Sequence, residues 1–215
     1  MSQTILHGYF RSSAAFRTRI ALNLKGVAAE HRFRHLRKGE QRSPDFLKLN
    51  PQGLVPALEI DGNVLTQSLA IIEYLDETRP NPPLLPKDSA GRARVRALAY
   101  ATAIEIHPIN NLRVLQDLAS RFGADDKAVA GWFRYWVMET FGPLEKMLAG
   151  DKATGKFCHG DAPTLADICH VPQVVNNTRF DVDMTPYPTI NRIHAACLAT
   201  PAFADAMPAK QPDAE

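Results

Sequence analysis

The chain has 215 residues, 45% hydrophobic and 22% charged, with a formal net charge of +2, enough for one large domain or two small ones and typical of a soluble globular protein. A charge so close to neutral excludes a general pull toward nucleic acid or a membrane surface. No apolar run approaches the ~20 residues that span a bilayer, and the start MSQTILHGYF lacks a signal peptide's apolar stretch, so the expected compartment is the cytoplasm.

The first 80 residues alternate strand and helix. Ile5–Tyr9 suits a short buried strand. Ser13–Lys25 suits a helix, with Phe16, Ile20 and Leu24 recurring every four residues and Gly26 placed as its stop. Glu30–His35 reads as a second strand. Ser43–Leu49 reads as a short helix, with Ser43 as N-cap and Pro44 at its first position. Ala57–Ile60 and Val64–Thr66 flank Asp61-Gly62-Asn63, a strong hairpin turn. Ser68–Thr78 is a further helix with Leu69, Ile72 and Leu75 on one side. The order β-α-β-α-β-β-α is thioredoxin-like. NPPLLP, residues 81–86, behaves as a linker, and the rest reads as helix only, over 88–121, 125–149, 164–178 and 188–199. The expected architecture is an α/β thioredoxin-like domain (1–80), a linker (81–90) and an all-α domain (91–215). Thr164-Leu165-Ala166-Asp167 has the form of a capping box and is read as a helix start.

Cys158, Cys169 and Cys197 are an odd number without a CxxC, which argues against a disulfide framework or a zinc site. The pairs Cys158-His159 and Cys169-His170 are adjacent, so their side chains diverge, and no metal site is expected.

Four features can carry chemistry. Ser12 and Ser13 stand at a helix start beside Arg11, where backbone N–H groups and the helix dipole favour an anion; the alternative is that one serine simply caps the helix. Val55-Pro56 precedes a strand. A trans bond is the default there, and a cis bond would leave the Val55 N–H and C=O to pair with an extended peptide. Gln67-Ser68 offers an amide, a hydroxyl and helix-terminal N–H groups to an amino-acid-like end. The Arg11 guanidinium can clamp a carboxylate. Further along, Pro108 in EIHPINNLRVL should kink its helix.

The motifs Arg11-Ser12-Ser13 before FRTRIALNLKG, NPQGLVPAL (50–58), LTQSLAIIEYL (65–75), EIHPINNLRVL (105–115) and TLADICHVPQV (164–174) cover both expected domains. In them the chain resembles the zeta class of cytosolic glutathione transferases, the family that includes maleylacetoacetate isomerase. The resemblance implies glutathione as cofactor, with Ser12 and Ser13 at its sulfur and Val55 and Pro56 at its cysteinyl backbone. It places Gln67 and Ser68 at the γ-glutamyl end, Gln41 at the glycyl end, and His107, Asn111 and Arg113 near the cofactor. It implies Arg11 and Arg179 as partners of a small dicarboxylic keto acid, and a homodimer. The implied reaction is cis-trans isomerisation of maleylacetoacetate in tyrosine and phenylalanine breakdown, by thiolate addition, rotation and elimination. Maleylpyruvate isomerisation, general conjugation or dehalogenation, and a non-enzymatic interaction module are the alternatives. The class commonly reads Ser-Ser-Cys-Ser where this chain has Ser12-Ser13-Ala14-Ala15, so disulfide chemistry from a protein thiol in this loop is not expected.

Overall fold

The computed structural model describes residues 3–215, which form two compact units: residues up to Leu84 together with Ala199–Glu215, and Leu85–Leu198.

The first unit is built on a four-stranded sheet of order β2-β1-β3-β4, with β1 Ile5–Gly8, β2 Glu30–Phe33, β3 Ala57–Ile60 and β4 Asn63–Thr66. β2 runs parallel to β1, and β3 and β4 form an antiparallel hairpin beside it. Asp61 and Gly62 turn that hairpin with positive φ at both residues (52° and 78°), the conformation a tight two-residue connection demands.

Helix α1, Ser13–Leu24, crosses the face of β1 that carries Leu6 and Gly8: a β-carbon at Gly8 would lie 3.4 Å from that of Ala15. α1 packs beside α3, Ser68–Thr78, and Phe16, Ile20, Ile71, Ile72 and Leu75 are buried there with Leu6 and Leu58. At the end of α1, Gly26 (φ 63°) donates its N–H to Asn23 O (3.1 Å) and Val27 donates to Leu22 O (2.9 Å), a two-bond stop that uses the glycine's left-handed freedom. α2, Pro44–Leu49, sends Phe46 against His7 on the opposite face of β1, with ring centroids 5.7 Å apart. Ser43 precedes α2 as expected, but its hydroxyl donates back to Glu40 O rather than capping the helix.

The second unit is helical: α4 Ser89–Tyr100, α5 Leu112–Phe122, α6 Asp126–Gly150, α7 Leu165–Asn177 and α8 Pro188–Leu198. α7 is its axis, buried along almost its whole length and packed on α4 and α8. The helix expected over 88–121 is instead two. α4 continues into a π-helical stretch, Ala101–Ile106, closed by His107 N–H on Thr102 O (3.1 Å), and the chain turns before α5. Pro108 therefore ends a helix rather than bending one. Asn111 starts the next, accepting from Val114 N–H (3.3 Å) and donating to Pro108 O (2.9 Å). Asp167 completes the box at the start of α7, its Oδ2 accepting from Thr164 N–H at 2.8 Å and from Thr164 Oγ1 at 2.9 Å.

Residues 199–215 pack with the first unit, although the sequence reading runs the helical domain to 215. They include α9, Pro201–Ala204, a four-residue helix too short to show periodicity, which lies against α1. Among the described residues no helix is long and apolar enough to cross a membrane.

Candidate functional site

The register of the sheet gathers the candidate residues of the first unit. Gly8 at the end of β1 pairs with Phe33 at the end of β2, His7 pairs with Ala57 at the start of β3, and Ala57 pairs with Thr66 at the end of β4. Residues 9–13, 34–42, 53–56 and 67–68 therefore all leave the sheet at one end. Two helices, α1 and α3, begin there, and each turns to that end the first-turn N–H groups that have no partner within a helix.

Ser12 is the N-cap of α1: its Oγ accepts from Ala15 N–H at 3.2 Å, and its own N–H donates to Tyr9 O at 3.0 Å. An acceptor role leaves the hydroxyl hydrogen to donate elsewhere. Ser13 is the first helical residue and is buried, while Ser12 and Arg11 are half-buried. The Arg11 guanidinium stacks over Phe10, 4.8 Å from the ring centroid.

Val55-Pro56 is cis. Val55 belongs to a buried cluster with Tyr9, Phe10, Phe46 and Ala57, which locks the turn before β3 to the turn after β1. Burial pushes the Tyr9 phenol above its usual pKa, with nearby Arg11 opposing. Asn50 shapes the approach: Nδ2 donates to Leu54 O (2.8 Å) and Oδ1 accepts from Gln52 N–H (3.1 Å). Gly53 (φ 61°) passes so close to residues 41 and 42 that a β-carbon there would sit 3.1 Å from Gln41 O and 2.9 Å from Arg42 Cδ. The Gln41 Oε1 atom is buried without a partner.

Gln67 precedes α3 with φ 67°, a left-handed value that costs a side-chain-bearing residue about 1–3 kcal/mol. The bend keeps its side chain exposed, where Nε2 donates to Gln52 Oε1 at 2.8 Å. Ser68 is buried, and its Oγ accepts from Arg17 Nη1 at 3.4 Å, an arginine that is itself 2% exposed.

The remaining candidates lie in the second unit. His107 ends the π-helical stretch and Asn111 caps α5. Arg113 is exposed in the first turn of α5. Arg179 is exposed, with Nη1 donating to Asn176 Oδ1 at 3.1 Å and its guanidinium 5.8 Å from the Phe180 ring centroid. The three cysteines are buried and none is in a disulfide.

A family model of the glutathione S-transferase N-terminal domain matches residues 2–77. A probable maleylacetoacetate isomerase of Vibrio cholerae is 51% identical over 217 residues, covering 100% of both chains. A holo structure of maleyl pyruvate isomerase, described as a bacterial zeta-class glutathione S-transferase, superposes with a TM-score of 0.96 at 50% identity, over 98% of this chain and 99% of that one. The chain belongs to the zeta class of glutathione transferases. A second solved structure of the family, maleylacetoacetate isomerase from Methylobacterium extorquens AM1 with bound malonate and glutathione, has a TM-score of 0.94 at 45% identity, over 98% of this chain and 99% of that one.

Within this zeta-class chain the sequence reading named Ser12, Val55, Pro56, Gln67 and Ser68, and the sheet brings all five to one end. It gave no role to Asn50 and Gln52, although Asn-Pro-Gln-Gly is a visible turn signal. It also passed over Arg17, since a buried arginine on a helix cannot be told from a surface one by spacing alone.

Proposed function

We propose that this protein is a glutathione-dependent cis-trans isomerase that converts maleylacetoacetate to fumarylacetoacetate, acting in the cytoplasm as a homodimer in tyrosine and phenylalanine breakdown. The observation that supports it most is the single sheet end carrying the capped Ser12, the cis Val55-Pro56 turn and Gln67-Ser68, in a chain about half identical over its full length to proteins of that name.

The donor set suits glutathione. The buried, unpartnered Gln41 Oε1 calls for a donor, such as the N–H of a peptide end. Val55 would offer its backbone to the cysteinyl residue, and Gln67 and Ser68, at the start of α3, would hold the γ-glutamyl end with its carboxylate. Bound there, glutathione supplies the sulfur that adds to the activated double bond and later leaves it, so none is consumed. Ser12 would donate its hydroxyl hydrogen to that sulfur, with the start of α1 and Ser13 behind it. Lowering a thiol pKa by ~2 units needs ~2.7 kcal/mol of preference for the thiolate, which a charge-assisted hydrogen bond plus a helix terminus supplies. Arg11 and Arg179 would hold carboxylates of the acidic substrate.

A second reading, isomerisation of maleylpyruvate, is favoured by one observation: a relative named for that activity is 50% identical. The chemistry is the same on a shorter keto acid. Turnover of both substrates, with total glutathione followed throughout, separates these readings. Isomerisation requires glutathione and leaves its total unchanged, and the ratio of kcat/KM values names the substrate. Turnover without glutathione, or glutathione lost in step with substrate, overturns the proposal.

A further inference from the structure

Ser12 N–H on Tyr9 O closes a turn with Phe10 and Arg11 at its centre. The N–H of the second residue of such a turn has no partner inside it. Here Phe10 N–H donates to Asp213 Oδ2 at 2.9 Å, across 203 residues of sequence. The Phe10 carbonyl accepts from Arg19 Nη2 at 3.1 Å, and Arg19 Nε donates to Ala206 O at 3.0 Å. Arg19 is 4% exposed, and burial brings its pKa down to about 10, with Asp213 opposing that fall. The tail is seated independently of Asp213: Asn23 Nδ2 donates to Ala202 O (2.9 Å) beside the Arg19 bond to Ala206 O, and within the tail Gln211 Nε2 donates to Asp205 O and Met207 O (3.0 Å each). Its last residue also reaches the loop after β2, with Glu215 Oε1 2.8 Å from His35 Nε2.

Both polar groups of Phe10 are thus held by charged side chains, and one of these comes from the tail. The cap on Ala15 fixes which side of Ser12 Oγ accepts. It does not fix the path by which the chain enters the cap, and that path sets where the hydroxyl hydrogen can point. We propose that Asp213 is a positioning residue: by holding Phe10 N–H, the C-terminal tail sets the turn that aims the Ser12 hydroxyl. The role rests on the glutathione reading given above.

Asp213→Ala removes the acceptor, whereas Asp213→Asn keeps an oxygen for Phe10 N–H and removes only the charge. Asp213→Ala lowers kcat about tenfold, the size expected of one lost hydrogen bond to a charged group. It changes KM for glutathione less than about threefold, the pattern of an interaction needed in the reaction rather than in binding. It raises the pKa of the bound glutathione thiol, read from thiolate absorbance. Charge removal alone predicts the opposite sign, since deleting a nearby carboxylate makes a thiolate easier to form. It also speeds amide exchange across residues 9–16, measured by mass spectrometry without ligand. Asp213→Asn stays near the parent in kcat, KM and exchange, and its thiol pKa lies at or below the parent's. Parental exchange across 9–16 in Asp213→Ala overturns the inference, and so does a lower Tm with kcat and thiol pKa unchanged, which would make the tail a simple staple. If the parent itself binds no glutathione by calorimetry, the functional reading falls, and the exchange measurement still decides the role of the tail.

Discussion

Ser12 has two tasks that use different parts of one hydroxyl. Its lone pair accepts from Ala15 N–H and starts α1. Its hydrogen remains for the sulfur of a bound thiol. Substitutions can part these tasks. Ser12→Ala removes both, so stability falls by about 1 kcal/mol and kcat falls by about 100-fold with a smaller change in glutathione affinity. Ser12→Asp restores a cap acceptor at the positive end of the helix and recovers the stability. It has no hydrogen to give and sets a carboxylate beside the sulfur, so kcat falls further. Urea unfolding and steady-state kinetics on both variants check this, and recovery of kcat in Ser12→Asp would show that capping is the whole role of Ser12. At this scale the sequence is informative where residue type carries the chemistry: a hydroxyl at a helix start is visible in a string of letters. The φ of 67° at Gln67 is not visible. Glutamine has no special preference for that conformation, which is imposed by β4 on one side and α3 on the other.

Elements were legible where their periodicity is strong and their ends are marked locally. The hairpin was marked by Asp61-Gly62, the stop of α1 by Gly26, and the start of α7 by Thr164 and Asp167. The break between α4 and α5 was less legible, because a proline inside a helical pattern is compatible with either a bend or an end, and the deciding contact is the Asn111 side chain on Pro108 O. The start of α8 was read at residue 188, where it stands, but what caps it was hidden. Its capping carboxylate comes from α6: Glu145 accepts from Thr189 N–H at 2.9 Å and Ile190 N–H at 3.0 Å. For α7 the two halves of the box carry unequal weight. Asp167 is buried and also accepts from Cys158 N–H at 2.8 Å, so its carboxylate ties the preceding loop to the helix. Asp167→Ala leaves the Cys158 and Thr164 N–H groups buried without partners and costs about 3 kcal/mol or more. Thr164→Ala keeps the carboxylate in place and costs about 1 kcal/mol. Equal losses for the two in urea unfolding would show that the helix start, and not the loop tie, is what Asp167 supports.

At the scale of the whole chain, the return of residues 199–215 to the first unit was the least legible feature. It depends on Arg19 and Asn23 of α1 finding carbonyls nearly two hundred residues away, and pattern within a window cannot report such a contact. Stability against acid is also a property of the whole chain, and buried histidines set much of it. His170, on α7, is buried and stacks on Phe141 of α6, with ring centroids 5.6 Å apart. Burial, helped by nearby His194, lowers its pKa to about 3, and burial also lowers that of His194. In the unfolded chain both return to ~6.5. Above that pH both states are neutral and neither histidine makes stability depend on pH. Below it the unfolded chain takes up protons that the folded chain refuses. Stability therefore falls as pH drops from 6.5 toward 3, by ~1.4 kcal/mol per pH unit for each histidine fully in this regime. Asp167 has the opposite sign: burial raises its pKa, so between its unfolded and folded values the folded chain binds the extra proton, and acid is less harmful there. His170→Gln removes one of the two histidine contributions and keeps a neutral polar side chain. Urea unfolding of parent and variant at a series of pH values from 7 to 4.5 should give the variant a slope shallower by about one proton. Parallel slopes would mean that His170 becomes protonated within the folded chain, and that the acid sensitivity arises elsewhere.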